Sequence, residues 1–205
     1  MLSQLRRIVQ DVAQEPVLNN ALAGLVSNVK NALKTECCSV YLADYDQQHF
    51  MLMATDGLNP EAVGQISIGF SEGLIGWVGQ REEPINLAQA HLHPRFKVTP
   101  EVSEDRFSAF LGCPIIHHRK VLGVLTIQQG ESRVFSEDEE SFLVTLGVQL
   151  ASVLVNAEMR QAASQNSKQQ KSTGQLLGLP GAPGIAIGEG FVLEPSSDFD
   201  AISLK

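Results

Sequence analysis

GQISIGFSEGLIGWVGQREEPINLAQAHLHPRF, residues 64–96, is the stretch of this chain that decides its fold. After a short loop it is followed by the strand-like FLGCPI at 110–115. Read in order, these residues predict a strand, a helix that begins among glycines, a second short strand ending at Asn86 and a loop containing Phe96. Short strands separated by glycine and proline turns indicate an antiparallel sheet.

Two helices are predicted before this stretch. Apolar residues recur at helical spacing from Leu2 to Val12, and Pro16 ends that run because it lacks an amide hydrogen and restricts Glu15. Pro16 also suits the first turn of a second helix. The apolar stripe of this second helix consists of Leu18, Leu22, Leu25, Val26, Val29 and Leu33.

Strands are predicted on both sides of the stretch. Alternating and β-branched residues indicate strands at 38–42, 50–54 and 63–68, which form an antiparallel meander. Two further strands, at 109–117 and 121–128, are joined as a hairpin by the polar turn His118-Arg119-Lys120.

The last long helix is predicted to begin at Ser136. Glu139 follows three residues later, and this spacing forms a capping box whose acidic residues suit the positive end of the helix dipole. One apolar arc of this helix is sufficient to cover a sheet. A second apolar arc implies another partner, and it consists of Val144, Val148, Ala151 and Val155. We expect this arc and the amino-terminal helix to form a homodimer interface.

Composition limits the class of protein. Hydrophobic residues make up 43% and charged residues 19%, which is typical of a folded soluble chain. The net charge of -8 argues against nucleic-acid binding. There is no run of about 18 apolar residues and no signal-peptide core, so we expect a cytoplasmic protein without a membrane span. The three cysteines are expected to be buried free thiols: Cys37, Cys38 and Cys113.

The chain divides into three parts by pattern. Residues 1–160 are predicted to form one folded domain with its flanking helices. Residues 161–175 are rich in Gln, Ser and Lys without an apolar period, which indicates a frayed helix or a linker. Residues 176–205 contain short strand-like segments between Pro and Gly turns and read as the truncated start of a further domain.

These parts together resemble the GAF domain and the first residues of the enzyme I module of the phosphoenolpyruvate-protein phosphotransferase of the nitrogen phosphotransferase system. The enzyme I opening is matched by PGAPGIAIG at 180–188. The GAF matches are SVYLAD at 39–44, MAT at 53–55, EPINLA at 83–88, FLG at 110–112, LGVL at 122–125 and EESFLVTL at 139–146.

The resemblance implies an α/β protein of the α+β type with the GAF fold. This fold has a central antiparallel sheet, with the amino- and carboxy-terminal helices on one face and a ligand pocket on the other. For the family it implies regulation by nitrogen-status metabolites, with glutamine inhibiting and 2-oxoglutarate opposing it. A ligand-free dimerisation module is the alternative.

Catalysis is not expected of this chain. The resemblance implies that the family passes phosphate from phosphoenolpyruvate to a histidine in the enzyme I module and then to a phosphocarrier protein, with magnesium. That histidine lies in a Ser-His-Ala-type context, and no histidine here has those neighbours. We therefore expect no catalytic residue, cofactor or metal in this chain, and magnesium only in the full-length enzyme.

Strand parity locates a ligand pocket. Ser39 and Tyr41 share one face of their strand, and Thr126 alternates with apolar neighbours in the same way. Backbone amides at the start of the short helix are suited to a ligand carboxylate, with capping by Ser71 or water as the alternative. The candidate ligand-binding residues are Ser39, Tyr41, Gly73, Trp77, Phe96, Arg106, Cys113 and Thr126.

Two other chemistries are disfavoured. A metal cluster would need convergent ligands, and the histidines available for one are His91, His93, His117 and His118. The first two fall in an aromatic loop. His117 and His118 flank a hairpin turn and are expected to point to opposite faces. Some GAF-fold enzymes reduce free methionine sulfoxide with paired cysteines. That reaction needs an accessible thiolate of low pKa, whereas these cysteines lie in apolar strands.

Overall fold

A six-stranded antiparallel sheet organises the residues that the computed structural model describes, 2–97 and 106–175. Its strands are β1 (Cys37–Asp44), β2 (His49–Asp56), β3 (Ser67–Gly69), β4 (Ile85–Leu87), β5 (Ala109–His117) and β6 (Lys120–Gln129). They lie in the order β3-β2-β1-β6-β5-β4. The predicted meander and the predicted hairpin are both confirmed, and β1 joins them by pairing with β6.

The helices are α1 (Leu2–Gln14), α2 (Leu18–Leu33), α3 (Gly73–Arg81) and α4 (Glu137–Gln175), with 3-10 turns at Pro60–Ala62 and Ala90–Leu92. Met1–Ser164 form one compact unit. The second unit, Gln165–Lys205, is described only as far as Gln175, and its backbone is helical to that point. The predicted linker at 161–175 is therefore helical, and the enzyme I-like segment at 176–205 lies outside the described residues.

The sheet separates two apolar cores. One core packs α1, α2 and α4 against side chains such as Val40, Leu125 and Ile127. The other core holds the alternate side chains, including Tyr41 and Val124, together with those of α3. This division confirms the expected placement of the terminal helices on one face, and it leaves the opposite face for the candidate site.

Some predicted boundaries were wrong for local reasons. The strand expected at 63–68 is only Ser67–Gly69, because the 3-10 turn Pro60–Ala62 is followed by hydrogen-bonded turns in which the amides of Gln65 and Ile66 donate to the Ala62 carbonyl. Pro16 is outside the second helix, since Val17 is its N-cap. His117 and His118 are also in ring contact, with centroids 4.2 Å apart, instead of pointing to opposite faces.

The capping box at the start of α4 is confirmed. The Glu139 amide donates to the Ser136 hydroxyl at 3.3 Å, and the Ser136 amide donates to the Glu139 carboxylate at 2.7 Å. Arg133 binds the same carboxylate through two nitrogens at 2.8 and 2.9 Å, and this guanidinium holds the pKa of Glu139 below its usual range. The helix start is therefore held by charge-assisted contacts.

The second apolar arc of α4 is only partly exposed. Val144 and Val148 are 37% and 57% exposed, and Val155 is half-buried. Ala151 is 1% exposed and belongs to the core beneath α4, so its assignment to a dimer interface was wrong. Its small side chain lies on the part of α4 that packs against the rest of the domain, so another copy of the chain has no access to it.

The segment Glu137–Ala157 of α4 is long and apolar enough to cross a membrane by length and composition. Its larger residues, among them Leu143, Leu146 and Leu150, are buried against the sheet and its other helices. Packing within the domain thus accounts for part of the apolar character of this segment, and Val144 and Val148 account for an exposed part.

Candidate functional site

The sheet face opposite α1, α2 and α4 carries buried hydroxyl groups. Ser39 on β1 and Thr126 on β6 are directly paired and almost completely buried. The Ser39 hydroxyl lies 2.8 Å from the hydroxyl of Thr55 on β2, and the Thr126 hydroxyl donates to the Ser39 carbonyl at 3.5 Å. We call Ser39, Thr55 and Thr126 the polar floor. Strand parity predicted two of its three members.

Aromatic side chains belong to the core on the same face of the sheet as the polar floor. Tyr41 is fully buried in the core on this face. Trp77 on α3 stacks on the imidazole of His93, with ring centroids 4.3 Å apart and an interplanar angle of 20°. Trp77 and Phe96 are half-buried and pack against the same core. The structure therefore brings Ser39, Tyr41, Trp77, Phe96 and Thr126 to one side of the sheet.

The start of α3 differs from the prediction. Glu72 is the N-cap residue, without a side-chain capping bond, and Ser71 is exposed beside it. Gly73 has a φ of +60°, a left-handed conformation that favours glycine, and its backbone begins the helix. The alternative that Ser71 caps this helix was therefore wrong. Gly73 is at the start of the helix, as predicted.

Arg106 lies at the end of the sheet where β1 begins. Its guanidinium donates to the Gly57 carbonyl and lies 4.7 Å from the ring centroid of Phe107, whose side chain belongs to the core of the site. Arg106 is exposed. The cation is thus at the edge of the site, and a guanidinium has further N–H donors beyond the one used here.

Cys113 is on the other face of the sheet. It pairs with Leu125 on β6, and both side chains belong to the core under the helices. The sheet therefore separates Cys113 from the polar floor, and the structure contradicts its assignment to the pocket. Its neighbour Gly112, which pairs with Thr126, is the β5 residue on the site's face.

All three cysteines are free and buried, as predicted. Burial, and then the nearby Glu140 carboxylate, raise the pKa of Cys113 to about 12. Burial is also the main reason why the pKa of Cys38 is well above its usual range. A neutral, enclosed thiol is a poor nucleophile.

Among the residues that the structure describes, no group of three or more His, Cys, Asp or Glu side chains is arranged to hold a metal ion. His93 instead accepts a hydrogen bond from the Arg95 amide at 3.2 Å and stacks on Trp77. This histidine has a packing role in the wall of the site.

Gln128 was not among the residues predicted for the site. It is two residues after Thr126 on β6 and is 4% exposed, and its side-chain oxygen has no hydrogen-bond partner in the described part of the chain. Strand parity was the signal available for it, because residues two apart on a strand share a face.

The role of Asn86 on β4 was also not predicted. Its amide nitrogen donates to the Phe135 carbonyl at 2.9 Å, and its oxygen accepts from the Phe135 amide at 3.1 Å. The same nitrogen lies 3.2 Å from the carboxylate of Glu140 on α4. Asn86 thus connects the sheet edge beside α3 to the first turn of α4.

Comparison with known proteins agrees with this architecture. The family model of the GAF domain matches residues 18–154. A relative from Escherichia coli strain K12, described as "Phosphoenolpyruvate-dependent phosphotransferase system", is 48% identical over 191 residues. That similarity covers 93% of this chain and 25% of the relative, so the chain spans about a quarter of the length of the curated relatives it matches.

Solved structures narrow the assignment. The GAF domain of a phosphoenolpyruvate-protein phosphotransferase from Coxiella burnetii is 46% identical, with a TM-score of 0.75, over 78% of this chain and 96% of that one. A free methionine-R-sulfoxide reductase from Neisseria meningitidis is 21% identical, with a TM-score of 0.65, over 77% of this chain and 89% of that one, which is a likeness of fold alone. The chain therefore belongs to the GAF domain family, and within it to the GAF domains of phosphoenolpyruvate-protein phosphotransferases.

Proposed function

We propose that this chain is a regulatory domain that senses a small molecule and thereby controls phosphoenolpyruvate-dependent phosphotransfer in the nitrogen phosphotransferase system. The observation that carries the proposal is the polar floor. Buried hydroxyls beneath aromatic walls combine apolar enclosure with a few polar groups, which is typical of small-molecule sites. Membership among the GAF domains of phosphotransferases supplies the process that the site would regulate.

Glutamine is the ligand that we propose, with 2-oxoglutarate opposing it. Its carboxylate would meet Arg106 or the amides near Gly73, and its side-chain amide would meet Ser39 or Thr126. The exposed guanidinium beside Phe107 supports the first contact, since an arginine-carboxylate contact is charge-assisted. The polar floor supports the second.

Calorimetry of the chain with millimolar glutamine should therefore show binding. Arg106→Ala should weaken that binding by roughly ten- to a hundredfold, because a hydrogen bond to a charged group contributes about 1.5–3 kcal/mol. Arg7→Ala is the control, since it removes an exposed arginine from α1 on the other side of the sheet. If Arg106→Ala binds glutamine as tightly as wild type, Arg106 does not contact the ligand. If wild type gives no heat of binding, glutamine is not the ligand.

The whole protein is proposed to be a phosphoenolpyruvate-protein phosphotransferase of the cytoplasm that uses magnesium and donates to a phosphocarrier protein. Within it, this chain would supply regulation and no catalytic group. Its free thiols are buried, and no histidine has the Ser-His-Ala-type context of the family's phosphorylated residue.

A second candidate function is dimerisation without a ligand. The observation that favours it is the exposed stripe of α4, where Val144, Val148 and Met159 lie on one side of the helix and are 37%, 57% and 63% exposed. Apolar residues four apart on a helix are neighbours and form a seam that another copy of the helix can cover.

The double variant Val144→Glu/Val148→Glu should be a monomer in light scattering, because two carboxylates in an apolar seam oppose association. Gln65→Glu/Gln149→Glu places the same added charge at two exposed positions outside this stripe and should leave the mass unchanged. A wild-type monomer, or a double variant that keeps the wild-type dimer mass, would refute this interface.

A further inference from the structure

Gln128 carries a buried hydrogen-bond acceptor that the fold does not use. The residue is 4% exposed, and its side-chain oxygen has no hydrogen-bond partner among residues 2–97 and 106–175. Most buried polar atoms in native proteins have a partner, so an exception calls for a missing group. Among the residues that the structure describes, the other buried atom of this kind is the Nε2 nitrogen of His49, which is at the far end of β2 beside Asp44 and Gly69.

The sheet register places Gln128 on the face of the candidate site. Gln128 is directly opposite Cys37 on β1 and Phe110 on β5. Both partners belong to the core on that face, and directly opposed residues in a sheet share a face. Gln128 is also two residues from Thr126, so it extends the polar floor toward the end of the sheet where Arg106 lies.

The hydroxyl groups of the polar floor already have partners in the protein, and their oxygens keep lone pairs to which a ligand N–H group can also donate. The Ser39 and Thr55 hydroxyls are 2.8 Å apart, and the Thr126 hydroxyl has the Ser39 carbonyl as its acceptor. The side-chain oxygen of the neighbouring Gln128 still lacks a hydrogen-bond partner, and a group from outside the protein can supply one. A carbonyl oxygen accepts hydrogen bonds and donates none, so the completing group must be a donor.

We propose that Gln128 contacts the ligand and determines its class, by accepting a hydrogen bond from an ammonium or amide N–H group. This inference rests on the proposed ligand-sensing function and deepens it. At neutral pH 2-oxoglutarate has only acceptor oxygens and would place acceptor against acceptor, whereas an amino acid offers N–H donors. Gln128 therefore selects amino acids over the corresponding 2-oxo acids.

The test is Gln128→Met, which keeps the length of the side chain and removes the acceptor oxygen together with the amide N–H donors. Wild type should bind glutamine more tightly than 2-oxoglutarate, and Gln128→Met should bind glutamine about tenfold more weakly, since a buried donor would lose its acceptor. Binding of 2-oxoglutarate should stay the same or improve. Gln65→Met makes the same chemical change at an exposed position and should bind like wild type.

The melting temperature of the ligand-free chain is the second readout. Because the fold does not use this oxygen, Gln128→Met should melt at the wild-type temperature or above it. A large fall in melting temperature would overturn the inference, since it would show that the protein itself uses the side-chain amide of Gln128.

The ligand titrations include the twenty amino acids and 2-oxoglutarate, so the two proposals can fail separately. Binding of another amino acid that depends on Gln128 would end the glutamine proposal and support this one. Equal glutamine binding by wild type and Gln128→Met, or tighter binding of 2-oxoglutarate by wild type, would overturn the role of Gln128 alone. No binding of any of these compounds would overturn both.

Discussion

Ala151→Glu should unfold this domain. Ala151 is 1% exposed, on the side of α4 that packs into the apolar core. The variant would therefore place a carboxylate in that core with no counter-charge. Burying an unpaired charge costs several kilocalories per mole, and the larger side chain adds overpacking. Domains of this kind are stable by only about 5–15 kcal/mol. We expect insoluble protein, or soluble protein with a non-cooperative thermal transition in circular dichroism.

Gln149→Glu is the matched control for that result. It introduces the same side chain two residues earlier on the same helix, at an exposed position outside the stripe of Val144, Val148 and Met159. Stability should change by no more than about 0.5 kcal/mol, as is usual at exposed positions. A folded Ala151→Glu variant with the wild-type melting temperature would contradict the packing of α4 described above.

The native cysteines should resist alkylation at pH 8. Because burial raises the pKa of Cys113 to about 12, its thiolate fraction should be on the order of a thousandfold below that of an ordinary thiol. Burial also raises the pKa of Cys38, and the neighbouring Cys37 is fully buried. Iodoacetamide followed by mass spectrometry should therefore show almost no native labelling and three modified cysteines in denaturant.

Ser71→Cys supplies the reference rate for this measurement, since residue 71 is exposed. The added thiol should react fully while the three native ones do not. Rapid native labelling of two of the original cysteines would contradict their burial and would revive a redox role for this domain. Slow labelling favours sensing, because thiol redox catalysis needs an accessible thiolate.

Local sequence signals predicted the secondary structure well where the signal and the structural cause were close in the chain. The strand predicted at 109–117 is observed as Ala109–His117, because β-branched and apolar residues there are bounded by a two-residue turn. The capping box at Ser136 and Glu139 needs only residues three apart. By contrast, 63–68 was predicted as a strand although a 3-10 turn precedes its short paired segment.

Parity along one strand located part of the site. It placed Ser39 and Tyr41 on one face and Thr126 on the matching face of β6, and the structure shows these positions. Cys113 was misplaced because its face depends on its register with β6, where it pairs with Leu125. Register is set by the turn and the partner strand together, which a single strand does not contain.

The sequence by itself determined the family, the order of helices and strands, and the presence of a polar face within an apolar sheet, since these follow from local patterning and recognisable motifs. Only the tertiary structure decided which apolar residues of α4 are covered, as the contrast between Ala151 and Val148 shows. It also decided that the buried oxygen of Gln128 has no hydrogen-bond partner among the residues that the structure describes. The physical reason is that burial and hydrogen bonding depend on groups brought together from distant parts of the chain, whereas periodicity reports only on neighbours.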